Sequence, residues 1–152
     1  MRILNAAGRF AALWLVMGLS YALLEYLYRG FTYPCMIAVG GLCGALVGLL
    51  DEFPFFRGRR IWLQCAVGTG ITLAIEFGSG CLLNIRLGIG AWDYRALPCN
   101  LLGQICLRAA VGWFLLMPFV IFYDDWLRWR LFGQPRPERS LLRCYRDFFL
   151  GR

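Results

Sequence analysis

The 152-residue sequence contains neither histidine nor lysine, so all sixteen of its cationic side chains are arginines. Without histidine it lacks the commonest general base, the commonest metal ligand and any histidine-centred triad. Charge of either sign is sparse at 16% of residues, against about 25% in ordinary globular chains. A disordered chain or a nucleic-acid-binding domain is therefore excluded, although the formal net charge is +7. Seven cysteines lie singly in apolar stretches with no Cys-x-x-Cys pair. They read as small buried hydrophobes rather than a disulfide or zinc framework. No metal, no cofactor and no catalytic residue is assigned, and there is no phosphate-cradling Walker A pattern.

What the sequence has in quantity is apolar surface, 60% of residues with 16% aromatic. A bilayer core about 30 Å thick is crossed by about 20 apolar residues in a helix. Four stretches meet that length: 10–28, 33–50, 61–84 and 101–123. The expected fold is all-α, an integral membrane bundle of four transmembrane helices occupying residues 1–128. A basic tail, 129–152, follows. The first span follows Arg2 and Arg9 but ends in Leu24-Glu25-Tyr26-Leu27-Tyr28-Arg29 with no small-x-small cleavage site. It reads as a retained helix rather than a signal peptide.

Arginine placement gives the orientation. Four spans put the N-terminus, loop 51–60 and the tail on one side, with twelve arginines against three (Arg29, Arg86, Arg95) on the other, Arg108 lying inside a span. Positive charge is retained on the cytoplasmic side, so both termini are expected there, in the cell membrane. Gly40, Gly44 and Gly48 at four-residue spacing give the second span a face that a helix can approach closely, in this chain or in a second copy. Trp126 and Trp129 suit an interfacial belt. Leu141, Leu142, Tyr145, Phe148 and Phe149, flanked by Arg139, Arg143 and Arg146, form a short amphipathic segment expected on the anionic leaflet, or else as a docking helix for a soluble partner.

Ionisable groups inside a span are expensive and call for an explanation. Glu25, Glu76 and Arg108 fall in the outer half of spans one, three and four. Helical spacing puts Tyr21, Glu25 and Tyr28 on one face, Thr69, Thr72 and Glu76 on another with Asn84 beyond, and Asn100, Gln104 and Arg108 on a third. The simplest arrangement turns these stripes together, with Arg108 bonded to Glu76, Glu25 or both. The loop Trp92-Asp93-Tyr94-Arg95 closes over them, lying flat on the membrane or re-entering it, with Asp93 at the mouth. Glu25, Glu76, Asn84, Asp93, Asn100, Gln104 and Arg108 are the candidate substrate-binding residues. In the blander reading the Glu76–Arg108 pair only fixes helix register, and Asp93 caps span four or pairs with Arg95.

The string Ile75-Glu76-Phe77, Gly80-Cys81, Asn84, Trp92-Asp93-Tyr94, Pro98, Asn100-Leu101-Leu102-Gly103-Gln104 and Trp113, with Asp124-Asp125-Trp126-Leu127-Arg128 later, resembles a bacterial family. It is similar to the type IV, or CmpB-like, ABC-transporter permeases. Arg95 departs from the pattern, standing where many members have serine. The resemblance implies a membrane component of a transporter, with ATP hydrolysis in a separate ATPase subunit. Loop 51–60 is the best candidate for touching that subunit. A homo-oligomer in the lipid bilayer is expected, the glycine face serving as a contact, with no nucleic-acid partner. Two alternatives stand beside it. One is a membrane-embedded lipid or isoprenoid enzyme using Glu76 and Asp93 as paired carboxylates; the other is a non-catalytic assembly protein.

Overall fold

The computed structural model describes residues 5–53, 55–56 and 60–151, the side chain of Asp51 excepted. Arg2, Arg57, Arg59 and Arg152, which contribute to the charge partition, and Pro54 and Gly58 of the loop proposed to meet an ATPase lie outside the described residues.

The chain is mostly helical. Helix α1 (Ala6–Arg29) opens on Asn5, whose side chain accepts from the Gly8 amide at 2.8 Å, and closes on Gly30 at φ 78°. These are the signatures of a side-chain N-cap and a left-handed glycine stop. Helix α2 (Cys35–Gly48) runs back, followed by a 3-10 turn at Leu50–Glu52. Helix α3 (Ile61–Gly80) continues without a break into π-helical turns at Cys81–Arg86. Helix α4 (Leu107–Phe132) returns, stopping at Gly133 with φ 68°, and α5 (Leu141–Phe149) starts on Ser140.

Three of these segments, Ala6–Arg29, Ile61–Arg86 and Leu107–Phe132, are long and apolar enough to cross a bilayer. Helix α2 has 14 residues, about 21 Å at 1.5 Å per residue. It is shorter than the 33–50 span expected.

The fourth expected span, 101–123, is corrected in register. Residues Asn100–Leu101 and Ile105–Cys106 pair as antiparallel strands β1 and β2, Asn100 opposite Cys106 and Leu101 opposite Ile105. Their connection holds Leu102 at φ 51° and Gly103 at φ 69°, a left-handed pair that no helix contains. The Asn100 side chain donates to the Leu97 carbonyl at 2.7 Å and accepts from the Gly103 amide at 3.0 Å, drawing the backbone into a turn. Asn100, Gln104 and Arg108 therefore do not form one helical stripe. Only Arg108 belongs to α4, which begins six residues later than expected and runs nine further.

The glycine face of α2 is filled from within the chain. A Cβ on Gly41 would lie 2.2 Å from the Trp14 carbonyl oxygen, and one on Gly18 would lie 2.1 Å from that of Ile37. Gly40 faces Tyr21, Gly44 faces Met17, and Gly48 faces Asp124 of α4. Gly40 and Gly44 thus belong to the α1–α2 seam and Gly48 to the contact of α2 with α4. Helix α5 also differs from a purely surface-bound segment. Its Cys144 and Phe148 join Ile61, Cys65 and Met117 in the main core, while Leu142 and Phe149 stay exposed.

Candidate functional site

Antiparallel α1 and α2 bring Glu25 near the same end of the bundle as the start of α2, the π turns and the loop 87–106. Here a cavity of about 450 Å³ is lined by Tyr21, Glu25, Arg29, Glu76, Asp93 and Tyr94, with Trp92, Tyr28, Met36, Leu24 and Leu116 completing it. That volume falls within the roughly 300–1,000 Å³ typical of small-molecule sites. The two acidic stripes of α1 and α3 do converge, as their helical spacing suggests.

The arginine that meets Glu25 is Arg29, one turn on in the same helix, at 2.8 Å. Thr32 donates to the other carboxylate oxygen of Glu25. Arg29 also donates to the Ala91 carbonyl at 2.9 Å, tying α1 to the loop. Glu76 is held by two neutral donors, the Tyr94 hydroxyl at 3.0 Å and the Trp113 indole N–H at 3.1 Å. Arg108 is exposed on the first turn of α4 and makes no ion pair with Glu76 or Glu25 among the described residues. The register change explains this: with α4 beginning at Leu107, Trp113 is the α4 side chain that reaches Glu76.

The loop is a folded cap. Asn84, on the π turns, donates to the Gln104 side-chain oxygen at 2.8 Å and accepts from the Ala91 amide at 2.7 Å. Trp92, buried, donates to the Gln104 carbonyl at 2.9 Å. Gly80 leaves the space for Gln104, since a Cβ there would lie 2.5 Å from its side-chain oxygen. Asn84, Asn100 and Gln104 thus come together as the cap's internal bonds rather than as a stripe facing the cavity. π-Helical turns recur at functional sites, and here the widened turn aims Asn84 at the cap.

Asp93 pairs with Arg95 at 2.8 Å and accepts its backbone amide at 2.9 Å. Those hydrogen bonds from Arg95 hold the Asp93 carboxyl below its ordinary value. Burial, reinforced by the charge of Glu76, pushes the Tyr94 phenol up, so it remains a donor. The cavity therefore contains two acids paired with arginines, Glu25 and Asp93, and one, Glu76, met among the described residues only by uncharged groups.

A second polar cluster, not foreseen, sits at the opposite end. Arg128 bonds Asp124 one turn earlier, Glu52 at 2.8 Å and the Gly48 carbonyl at 3.3 Å. A cavity of about 330 Å³ beside it is lined by Arg9, Leu13, Glu52, Arg128 and Gln134 among others. The spacing of Asp124 and Arg128, and likewise of Glu25 and Arg29, is the four-residue signature of a helical ion pair and was available in the sequence. Between the two ends lies an apolar cavity of about 280 Å³ bounded by Met17, Gly44, Val47, Trp113 and Met117. The buried Leu13, Met17 and Leu127 cluster packs between it and the arginine-rich end. Among the described residues no group of acidic and cysteine side chains could hold a metal ion.

No curated protein and no solved structure matches the chain. A family model covers most of it, from the first turns of α1 to just past the end of α4. The chain, with its apolar helices and acid-lined cavity, belongs to the family described as "Putative ABC-transporter type IV", whose model matches residues 10–135.

Proposed function

We propose that this chain is a four-span membrane component of a transporter, and that the Glu25–Glu76–Asp93 cavity at the outer end receives the transported molecule or ion. The observation that carries the reading is Glu76. It is a buried carboxylate on a membrane-length helix, facing a cavity of about 450 Å³ and, among the described residues, its side chain is bonded only to Tyr94 and Trp113. Acids at such depth mark substrate or ion pathways more often than they serve as joints. The family supports transport as the class. An acidic cavity at one end and an arginine-lined one at the other, separated by Leu13, Met17 and Leu127, suit a path closed by an apolar plug.

In this reading α2 is the short second span, lengthened by the residues around it from 33 to 50, and the arginine-rich end is cytoplasmic. ATP hydrolysis belongs to a partner subunit, which meets loop 51–60 and the face of α5 that carries Leu142 and Phe149. Several copies of this chain assemble to enclose the path. The test is purification of the tagged protein from native membranes in nanodiscs, with identification of what remains bound. A stoichiometric subunit carrying a Walker A motif is expected, and it should be retained by the Glu76→Gln variant. A homo-oligomer without any ATPase would refute the ABC-type reading.

A further inference from the structure

We infer that the ligand of the outer cavity is an amphiphile with an ammonium head group and a hydrocarbon chain. The head would sit against Glu76 and the surrounding aromatic rings, and the chain would lie in the apolar cavity between α1 and α4. The inference rests on the transporter reading of the same site and names its substrate class.

Charge bookkeeping selects the sign of the head group. Arg29 is bonded to Glu25 and Arg95 to Asp93, so neither cation is left to recruit an anion. Glu76 accepts from Tyr94 and Trp113 only, and no cation lies within ion-pair distance of it among the described residues. A carboxylate has about four lone-pair positions, so two bonds leave it capacity for a further donor or cation. Tyr21, Tyr28, Trp92 and Tyr94 line the same cavity. Aromatic faces around a carboxylate are the environment in which an ammonium, especially a quaternary one, is held by cation–π attraction.

The second half of the ligand is selected by continuity. The polar cavity and the apolar one share Tyr21, Leu24 and Leu116 as walls. Beyond them the apolar cavity runs past Met17 and Val120 to the α1–α4 hydrogen bond between Ser20 and Tyr123, 2.8 Å long. Its rim carries Leu23, Leu24 and Leu116, 59%, 52% and 37% exposed, on the flank a bilayer would cover. Helix α1 packs far more extensively on α2 than on α4, so the groove is open sideways. A chain can therefore enter from the lipid while its charged end stays near the interface. A small hydrophilic cation would leave the apolar half empty, and a neutral lipid would leave Glu76 without a counter-charge.

The test uses the full chain in phosphatidylglycerol nanodiscs, which contain no ammonium lipid. The probe is an alkyltrimethylammonium with a photoreactive group near the end of a sixteen-carbon chain. Labelling is expected to map to the peptides around Met17 and Val120. It should be competed away by unlabelled hexadecyltrimethylammonium but not by hexadecanol. Glu76→Gln should weaken competition by roughly ten-fold, the scale of one ion and cation–π contact. Leu24→Trp, which fills the junction of the two cavities from an exposed position, should remove groove labelling even if Glu76→Gln fails to fold. Equal competition by hexadecanol would overturn the inference, as would labelling no stronger at Met17 than at lipid-facing Leu15. An oxidant-driven disulfide between copies carrying Leu23→Cys and Leu116→Cys, with no groove labelling, would also overturn it and make the groove a dimer face. ATPase co-purification is independent: an ATPase without ammonium binding removes only the substrate class, whereas binding without an ATPase removes only the ABC-type reading.

Discussion

The α1–α2 seam makes a quantitative prediction because its closest approaches are backbone to glycine. A Cβ added at Gly41 would meet the Trp14 carbonyl oxygen at 2.2 Å and one at Gly18 the Ile37 oxygen at 2.1 Å, where ordinary contact begins at 3.4 Å. Neither oxygen can swing aside, since both belong to helical backbone. The helices must therefore separate by about 1 Å, and a gap of 0.5–1 Å already forfeits a quarter to a half of each dispersion contact along the seam. Gly41→Ala and Gly18→Ala should each cost about 2–3 kcal/mol, the upper part of the overpacking range. Gly44 is different: its neighbour is the flexible Met17 side chain, at 2.7 Å from the sulfur. Gly44→Ala should cost about 1 kcal/mol, because a thioether repacks readily. Gly70, with nothing within 4 Å, is the control, and Gly70→Ala should be neutral or stabilising by about 0.5–1 kcal/mol through helix propensity. Gly18 and Trp14 lie one turn apart, as do Gly41 and Ile37, so a single separation relieves both clashes. The Gly18→Ala/Gly41→Ala double variant should then fall short of the summed cost by about 1 kcal/mol or more. Reversible unfolding in mixed dodecyl sulfate and maltoside micelles, followed by circular dichroism, measures the series. Full additivity, or a Gly41→Ala cost below about 0.5 kcal/mol, would refute the reasoning.

Replacing Asn84 by Leu removes both cap bonds, to Gln104 and Ala91. It should cost about 1–3 kcal/mol and shift the emission of the buried Trp92 to the red, seen by fluorescence. Exposed Cys99, at the acidic end, should react with a membrane-impermeant maleimide in intact cells, whereas buried Cys144 should not; the reverse pattern would invert the orientation. Asp147, bonded to Arg146 at 2.9 Å and 3.9 Å from both Arg139 and Arg143, has its carboxyl held below the ordinary 3.8, first by the Arg146 hydrogen bonds. Its contribution to holding α5 to its own lead-in is therefore complete above pH 3.8 and lost as pH falls further, through the depressed value, which lets the segment fray. Reaction of Cys144, as the sole cysteine, with an acid-active dithiopyridine should accelerate only below that range.

Sequence periodicity located the long helices and both acidic stripes because those signals are local to one helix. Glu25 and Glu76 reach the same cavity from α1 and α3 as their spacing implied. Helix α4 begins later than hydropathy predicts for a reason equally physical. Residues 100–106 are apolar enough to continue a span, and hydropathy does not register the left-handed backbone of Cys99, Leu102 and Gly103. Hydropathy alone carries Arg108 inward by a turn and more, toward Glu76, Glu25 or both. The true partners were in view, Arg29 by its spacing from Glu25, and Tyr94 and Trp113 as conspicuous aromatics. Their pairing across the bundle depends on where α4 begins, which no pairwise spacing reveals. The glycine face was legible as a packing surface, but its occupant was not, because small residues specify closeness and not the identity of the neighbour.

The two ends of the bundle put their charged groups to different uses. At the arginine-rich end Arg128 faces Asp124, Glu52 and the Gly48 carbonyl together, so one guanidinium spends its planar fork on α4, α2 and the 3-10 turn that follows α2. That is the arrangement of a joint: donors and acceptors belong to the protein, and replacing Arg128 by Met should perturb the packing of α2 on α4 wherever it is measured. At the other end, among the described residues, the protein supplies Glu76 with two neutral donors and no cation. Tyr94, which holds Glu76, sits in the cap and not in a helix, and its neighbours Asp93 and Arg95 are exposed. A ligand that displaces or tightens the Tyr94–Glu76 bond therefore acts directly on the cap, whose remaining anchors are Asn84, Arg29 and Trp92. On the proposed reading, a cation received beside Glu76 would couple occupancy of the cavity to the cap that closes over it.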